Sequence, residues 1–350
     1  MATGLDRSSV VRRLFVAIGG YASSDEVAEG SPMMMWKQLA VSALALLGAV
    51  AIGEGFFQGG RERPKISSSE KLQLPGAVLQ VDFGEGRFDV GNEAVLGYVK
   101  NAATAVSTYF GRFPVAQARV VMLPSADRRG VFQGTTWGHR GGMAALTRIG
   151  IGEHTTQGEL NDDWMMTHEL VHMGFPDVAE EHHWIEEGMA TYVEPIARVQ
   201  AGQLDARTIW RDMMDGMPKG EPAAGDEGLD RTHTWGRTYW GGALFCLVAD
   251  VEIRKRTHDR KGLQDALRAV VAAGGSIDRD WPLEKVFEVG DKATGTRVLS
   301  EMYARWSREP VRVDLDDLWR QLGVRRSGGG VEFDARAPLA AVREAITKRP

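Results

Sequence analysis

The stretch Trp164-Met165-Met166-Thr167-His168-Glu169-Leu170-Val171-His172-Met173-Gly174 decides how this chain reads. It holds an HExxH string in a segment that Asn161 or Asp162 can cap and that Gly174 and Pro176 end, so the spacing predicts a helix. On a helix, positions i and i+4 share a face, and the imidazoles of His168 and His172 can reach one metal ion. Glu169 lies about 100° round the axis and borders the open side. With eight histidines in 350 residues, such a string arises by chance on the order of once in a hundred chains. The helical context lowers the odds of coincidence further.

Two histidines leave a catalytic zinc one protein ligand short, and the third comes from a nearby helix. The segment Trp184-Ile185-Glu186-Glu187-Gly188-Met189-Ala190-Thr191-Tyr192-Val193-Glu194 offers candidates. Successive helical residues point about 100° apart, so only one of Glu186 and Glu187 can face the histidine pair. The segment resembles the Trp-x-x-Glu-Gly-x-Ala-x-Tyr-x-Glu signature of gluzincin metallopeptidases related to the aminopeptidase branch. That resemblance implies that Glu187 is the third ligand to Zn2+ and that Gly188 lets the second helix pack closely on the first. It also implies an α+β class with a zincin-like fold: a small twisted sheet over the active-site helix and a mainly helical C-terminal half.

The resemblance runs from about residue 78 to residue 250, with departures. The loop between His172 and Glu187 is shorter than in that branch, Glu186 stands where an asparagine is usual, and Thr191 takes the place of an aspartate that supports a histidine in thermolysin-like enzymes. Another group must therefore orient the histidines. Tyr239, in Arg237-Thr238-Tyr239-Trp240-Gly241-Gly242-Ala243, matches the tyrosine that steadies the oxyanion. Gly141-Gly142-Met143-Ala144-Ala145 resembles the strand that lies along the substrate, with Ala144 in place of the glutamate that grips a free amino terminus; this argues against aminopeptidase action. His182 and His183 point apart and are expected on the surface or around the ligands. His139 and His154 are expected to border the cleft.

Working outward, Val78 to Phe83, Ala118 to Leu123, Val131 to Trp137 and Met143 to Ile151 read as strands. Asn92 is expected to cap a helix to about Phe110. Beyond residue 158 the pattern is helical, with a short strand at Val331 to Phe333. Residues 77–350 make the catalytic domain, and the polar run 59–76 reads as a linker. Before it, Leu39 to Ile52 is nearly all apolar and ends in Ala49-Val50-Ala51, so residues 33–58 read as a signal peptide cut after Ala51 or as a membrane anchor. Either places the domain outside the cytoplasm. Residues 1–32 are expected to be disordered or to precede the true start.

Composition narrows the remaining classes. With 43% hydrophobic residues, 25% charged and a net charge of -5, the chain has no basic excess to suggest nucleic acid. The single Cys246 excludes an internal disulfide and reads as a small buried hydrophobe. Glu159, Asp162 and Asp163 make the HExxH region too polar for intramembrane proteolysis. Three functions stay open: a zinc peptidase in which Glu169 is the general base and the partner is a peptide or protein substrate, a zinc-stabilised binding domain without turnover, and a zinc hydrolase of a non-peptide substrate.

Overall fold

The computed structural model describes residues 64–139 and 142–349. The expected signal or anchor, the segment before it and the position after Ala51 lie outside the described residues. Among the described residues, no helix is long and apolar enough to cross a membrane.

Five strands build one sheet: β1 (Ile66–Leu74), β2 (Ala77–Gly84), β3 (Gln117–Ser125), β4 (Val131–Gly138) and β5 (Ala145–Gly152), in the order β1-β2-β3-β5-β4. β2, β3 and β5 are parallel; the edge strands β1 and β4 run antiparallel to their neighbours. In β2, alternate residues Leu79, Val81 and Phe83 are fully buried, the period of two that a strand covered on one face requires. Helix α1 (Gly91–Phe110) links β2 to β3 and buries Val95, Val99, Ala102, Val106 and Phe110 along one stripe. Asn92 lies inside its first turn rather than at the cap, and no side chain caps this helix.

The stretch expected to be part of a linker is strand β1. Its Ser67-Ser68-Ser69-Glu70-Lys71 run is exposed on both faces, so no apolar alternation marked it, and backbone pairing with β2 along its length defines it instead.

Helices follow: α2 (Gln157–Asp162), α3 (Met165–Val171), α4 (His183–Gln200), α5 (Ala206–Gly216), α6 (Gly242–Thr257), α7 (Leu263–Ala272), α8 (Leu283–Thr294), α9 (Val298–Trp306), α10 (Leu315–Leu322) and α11 (Ala340–Thr347). Between the last two, β6 (Val324–Ser327) and β7 (Gly330–Phe333) form a hairpin, of which only the second strand was expected. The architecture is α+β, a small mixed sheet followed by a helical C-terminal half. Helix α3 sits between the sheet and α4, against β4, β5 and α1. Gly188 serves a different contact from the one expected. A Cβ there would lie 2.3 Å from Gly242 Cα, so the glycine lets α4 cross α6, not α3, with backbones touching.

Candidate active site

Helix α3 is anchored at its start by the buried Tyr98 and the half-buried Asp163. Asp163 accepts a hydrogen bond from Met166 N–H at 3.3 Å, and the Tyr98 hydroxyl of α1 also donates to it. The acceptor at this helix start is thus Asp163, and neither of the expected residues, Asn161 or Asp162. Burial raises the Asp163 carboxyl to about 6. One turn further on, His168 and His172 leave the same face, with ring centroids 4.9 Å apart and planes at 84°.

Helix α4 brings Glu187 to them. Its Oε2 lies 3.2 Å from His168 Nε2 and 3.5 Å from His172 Nε2, and all three side chains are buried. One donor atom from each residue lies within 4.8 Å of the others. Burial works to raise the Glu187 carboxyl, but the His172 and His168 imidazoles overcome it and hold the group well below the usual carboxylate range. Two imidazole nitrogens and an ionised carboxylate, converging in a buried corner, fit a divalent ion of zinc type.

The His168 ring is held by ring packing. Among the described residues neither Nδ1 has a hydrogen-bond partner. Trp164 instead sets its edge on His168 at 5.2 Å and 87°, and Tyr239 lies nearly parallel to the same ring at 6.3 Å and 22°. Tyr239 is stacked in turn on Trp235 at 5.7 Å. It sits in a π-helical turn, Gly236–Gly241, that precedes α6; such turns reposition side chains by one residue and concentrate at functional sites.

Glu169 faces the sheet. The Thr136 hydroxyl of β4 donates to its Oε2 at 2.8 Å, and the Thr147 hydroxyl of β5 lies 2.9 Å from that of Thr136. Gly134 completes the grip, since a Cβ there would come within 2.8 Å of Glu169 Cγ and Oε1. Burial raises the Glu169 carboxyl more than the His172 and His168 imidazoles lower it, so its proton affinity exceeds that of an ordinary glutamate. Thr136 and Gly134 carried no signal in sequence: Thr-Thr in a strand reads as ordinary β composition.

The strand beside the site is therefore β4, residues 131–138, and not Gly141 to Ala145. Residues 142–144 belong to the turn between β4 and β5, where His139 and Gly142 have φ of 49° and 77°. They line a shallow surface depression with Pro114 to Gln117, Ser276 and Asp278. No Asp or Glu occurs in β4. His154 pairs with Asp89 at 2.8 Å on the surface. His182 is buried against Asp230 at 3.0 Å, an aspartate that Trp184 Nε1 also reaches at 2.7 Å. His183 lies beside Glu186 and Glu187.

No protein-family model matches the sequence, and no curated protein does. Similarity is found among solved structures. An aminopeptidase N family protein from Idiomarina loihiensis superimposes with a TM-score of 0.53 at 14% identity, over 73% of this chain and 49% of that one. The chain has a zincin-like fold. An M1 zinc metallopeptidase from Deinococcus radiodurans is similar with a TM-score of 0.46 at 16% identity, over 72% of this chain and 53% of that one. The chain spans about half the length of these structures.

Proposed function

We propose that this chain is a zinc-dependent metallopeptidase that uses Glu169 as general base. The observation that carries the reading is the buried His168, His172 and Glu187 donor set with Glu169 held beside it by Thr136. Bound there, zinc would supply Lewis acidity to a water molecule and to the scissile carbonyl. Glu169, held by Thr136 and with a raised proton affinity, would take a proton from the attacking water at a carboxylate oxygen and pass it to the leaving amine. Tyr239, whose ring is stacked on that of His168, is the candidate donor to steady the oxyanion. β4 is an edge strand, so its outer backbone groups suit an extended peptide, which main-chain hydrogen bonds would hold whatever its side chains.

The test compares wild type and Glu169→Gln on a mixed peptide library, with and without chelator. The expected result is chelator-sensitive cleavage by wild type and none by a variant that still holds zinc. Equal processing by both proteins would refute the catalytic reading. Zinc binding with no cleavage by either would favour a binding domain.

A further inference from the structure

We infer that His183 is a positioning residue that fixes the Glu187 carboxylate for the metal. The inference rests on Glu187 being a ligand, as proposed above. His183 opens α4, and residues three and four further along a helix lie on its own face. Its two ring nitrogens are divided between the two neighbouring carboxylates: Nδ1 is 3.2 Å from Glu186 Oε2, and Nε2 is 3.4 Å from Glu187 Oε1. The oxygens of Glu187 are thus divided as well. Oε2 faces the Nε2 atoms of His168 and His172, while Oε1 faces His183.

Glu186 is buried, and its other oxygen, Oε1, accepts from the Val178 N–H at 3.4 Å. A line of contacts therefore runs from backbone through Glu186 and His183 to Glu187. It ends on the carboxylate oxygen turned away from the histidines. A carboxylate tethered at one oxygen cannot rotate its other oxygen out of the metal's reach without breaking that contact. His183 itself does not join the group of donor atoms that lie within 4.8 Å of one another. It supports a ligand rather than adding one. Partners of this kind commonly change metal affinity by about 10- to 100-fold.

The full-length protein would be compared as wild type, His183→Ala, His183→Gln and Glu187→Ala. Zinc affinity is measured by competition with a chromophoric chelator, and melting temperature on the metal-free forms. His183→Ala is expected to bind zinc about 10- to 100-fold more weakly. His183→Gln, which keeps an N–H donor near the Nε2 position, should recover most of the loss. Metal-free melting temperatures of the two His183 variants should agree with each other, because both shorten a mostly buried side chain, so a difference in zinc affinity between them reads the lost contact. Wild-type affinity in His183→Ala overturns the inference alone. So does an equal loss in both His183 variants accompanied by a fall in melting temperature, which marks a packing role. Complete zinc loss in His183→Ala, matching Glu187→Ala, makes His183 a ligand and overturns it too. Failure of the wild type to bind zinc, or full binding by Glu187→Ala, removes the ligand assignment itself and this inference with it.

Discussion

Gly134→Ala should displace Glu169, the proposed base, without removing it. The added Cβ would stand 2.8 Å from Glu169 Cγ and Oε1 and 2.9 Å from Met165 Cγ. Carbon atoms in contact normally sit about 3.5–4.0 Å apart, so Glu169 must retreat by roughly 0.7 Å or more. The atoms met belong to side chains and not to backbone, so the fold can absorb the methyl at a cost of about 1 kcal/mol, or a few degrees in melting temperature. The Thr136 hydroxyl, now 2.8 Å from Glu169 Oε2, would lose its partner or follow it. Misplacement of a catalytic group by about 1 Å can cost on the order of 100-fold in rate. The expected outcome is therefore a fall of about 10- to 100-fold in peptide hydrolysis, with zinc content unchanged. Product formation from a peptide mixture, metal analysis and a thermal melt on the same preparation measure the three quantities. Turnover at the wild-type rate would show that β4 does not press on the base, and a collapse in melting temperature would show that the contact is structural.

Four further substitutions separate the remaining roles. After dialysis, Glu187→Ala should have lost most of its zinc, whereas Glu186→Ala should still hold it, because only Glu187 faces the histidine pair; metal analysis of both variants decides this. Gly188→Ala sets a methyl 2.3 Å from Gly242 Cα, backbone against backbone, so α4 and α6 must separate at a cost of about 1–3 kcal/mol, read as a lower denaturation midpoint. Burial raises Asp163 from 3.8 to about 6, so its contribution to stability is complete below its ordinary value and lost as pH rises through about 6. That loss is of the order of 3 kcal/mol, and Asp163→Asn should flatten this part of the stability profile of metal-free protein in urea titrations between about pH 4 and 7. Identical wild-type and variant profiles would mean that Asp163 is not shifted.

The legible parts of this protein were those written in local spacing. His168 and His172 share a face because a helix repeats every 3.6 residues, and β2, β3, β4 and β5 follow from apolar runs of strand length. Which strand lies beside Glu169 was not legible. The resemblance pointed to residues 141–145, and only sheet order tells that β4, residues 131–138, is the edge next to α3. Gly188 was recognised as a close-packing residue, but its partner Gly242 lies more than fifty residues away, and nothing local names it. Thr191 stands where a supporting aspartate is usual, and the sequence left the group that orients the histidines unnamed. His168 is packed by the Trp164 and Tyr239 rings, and the placement of Tyr239 depends on the π-helical turn at Gly236–Gly241, which leaves no mark in apolar periodicity.

Strand β1 has a consequence for how the molecule behaves among its own copies. It covers the outer edge of β2, whose Leu79, Val81 and Phe83 are fully buried, with nine residues rich in Ser and carrying Glu70 and Lys71. Polar and charged side chains on a sheet's border discourage strands of other molecules from adding to it. Shortening the chain to begin after residue 75 would strip this cover and leave the unpaired backbone of β2 as a template for association. Such a protein should form concentration-dependent aggregates in light scattering even with its metal-site residues intact. The serine-rich segment thus works as a shield that keeps the sheet finite.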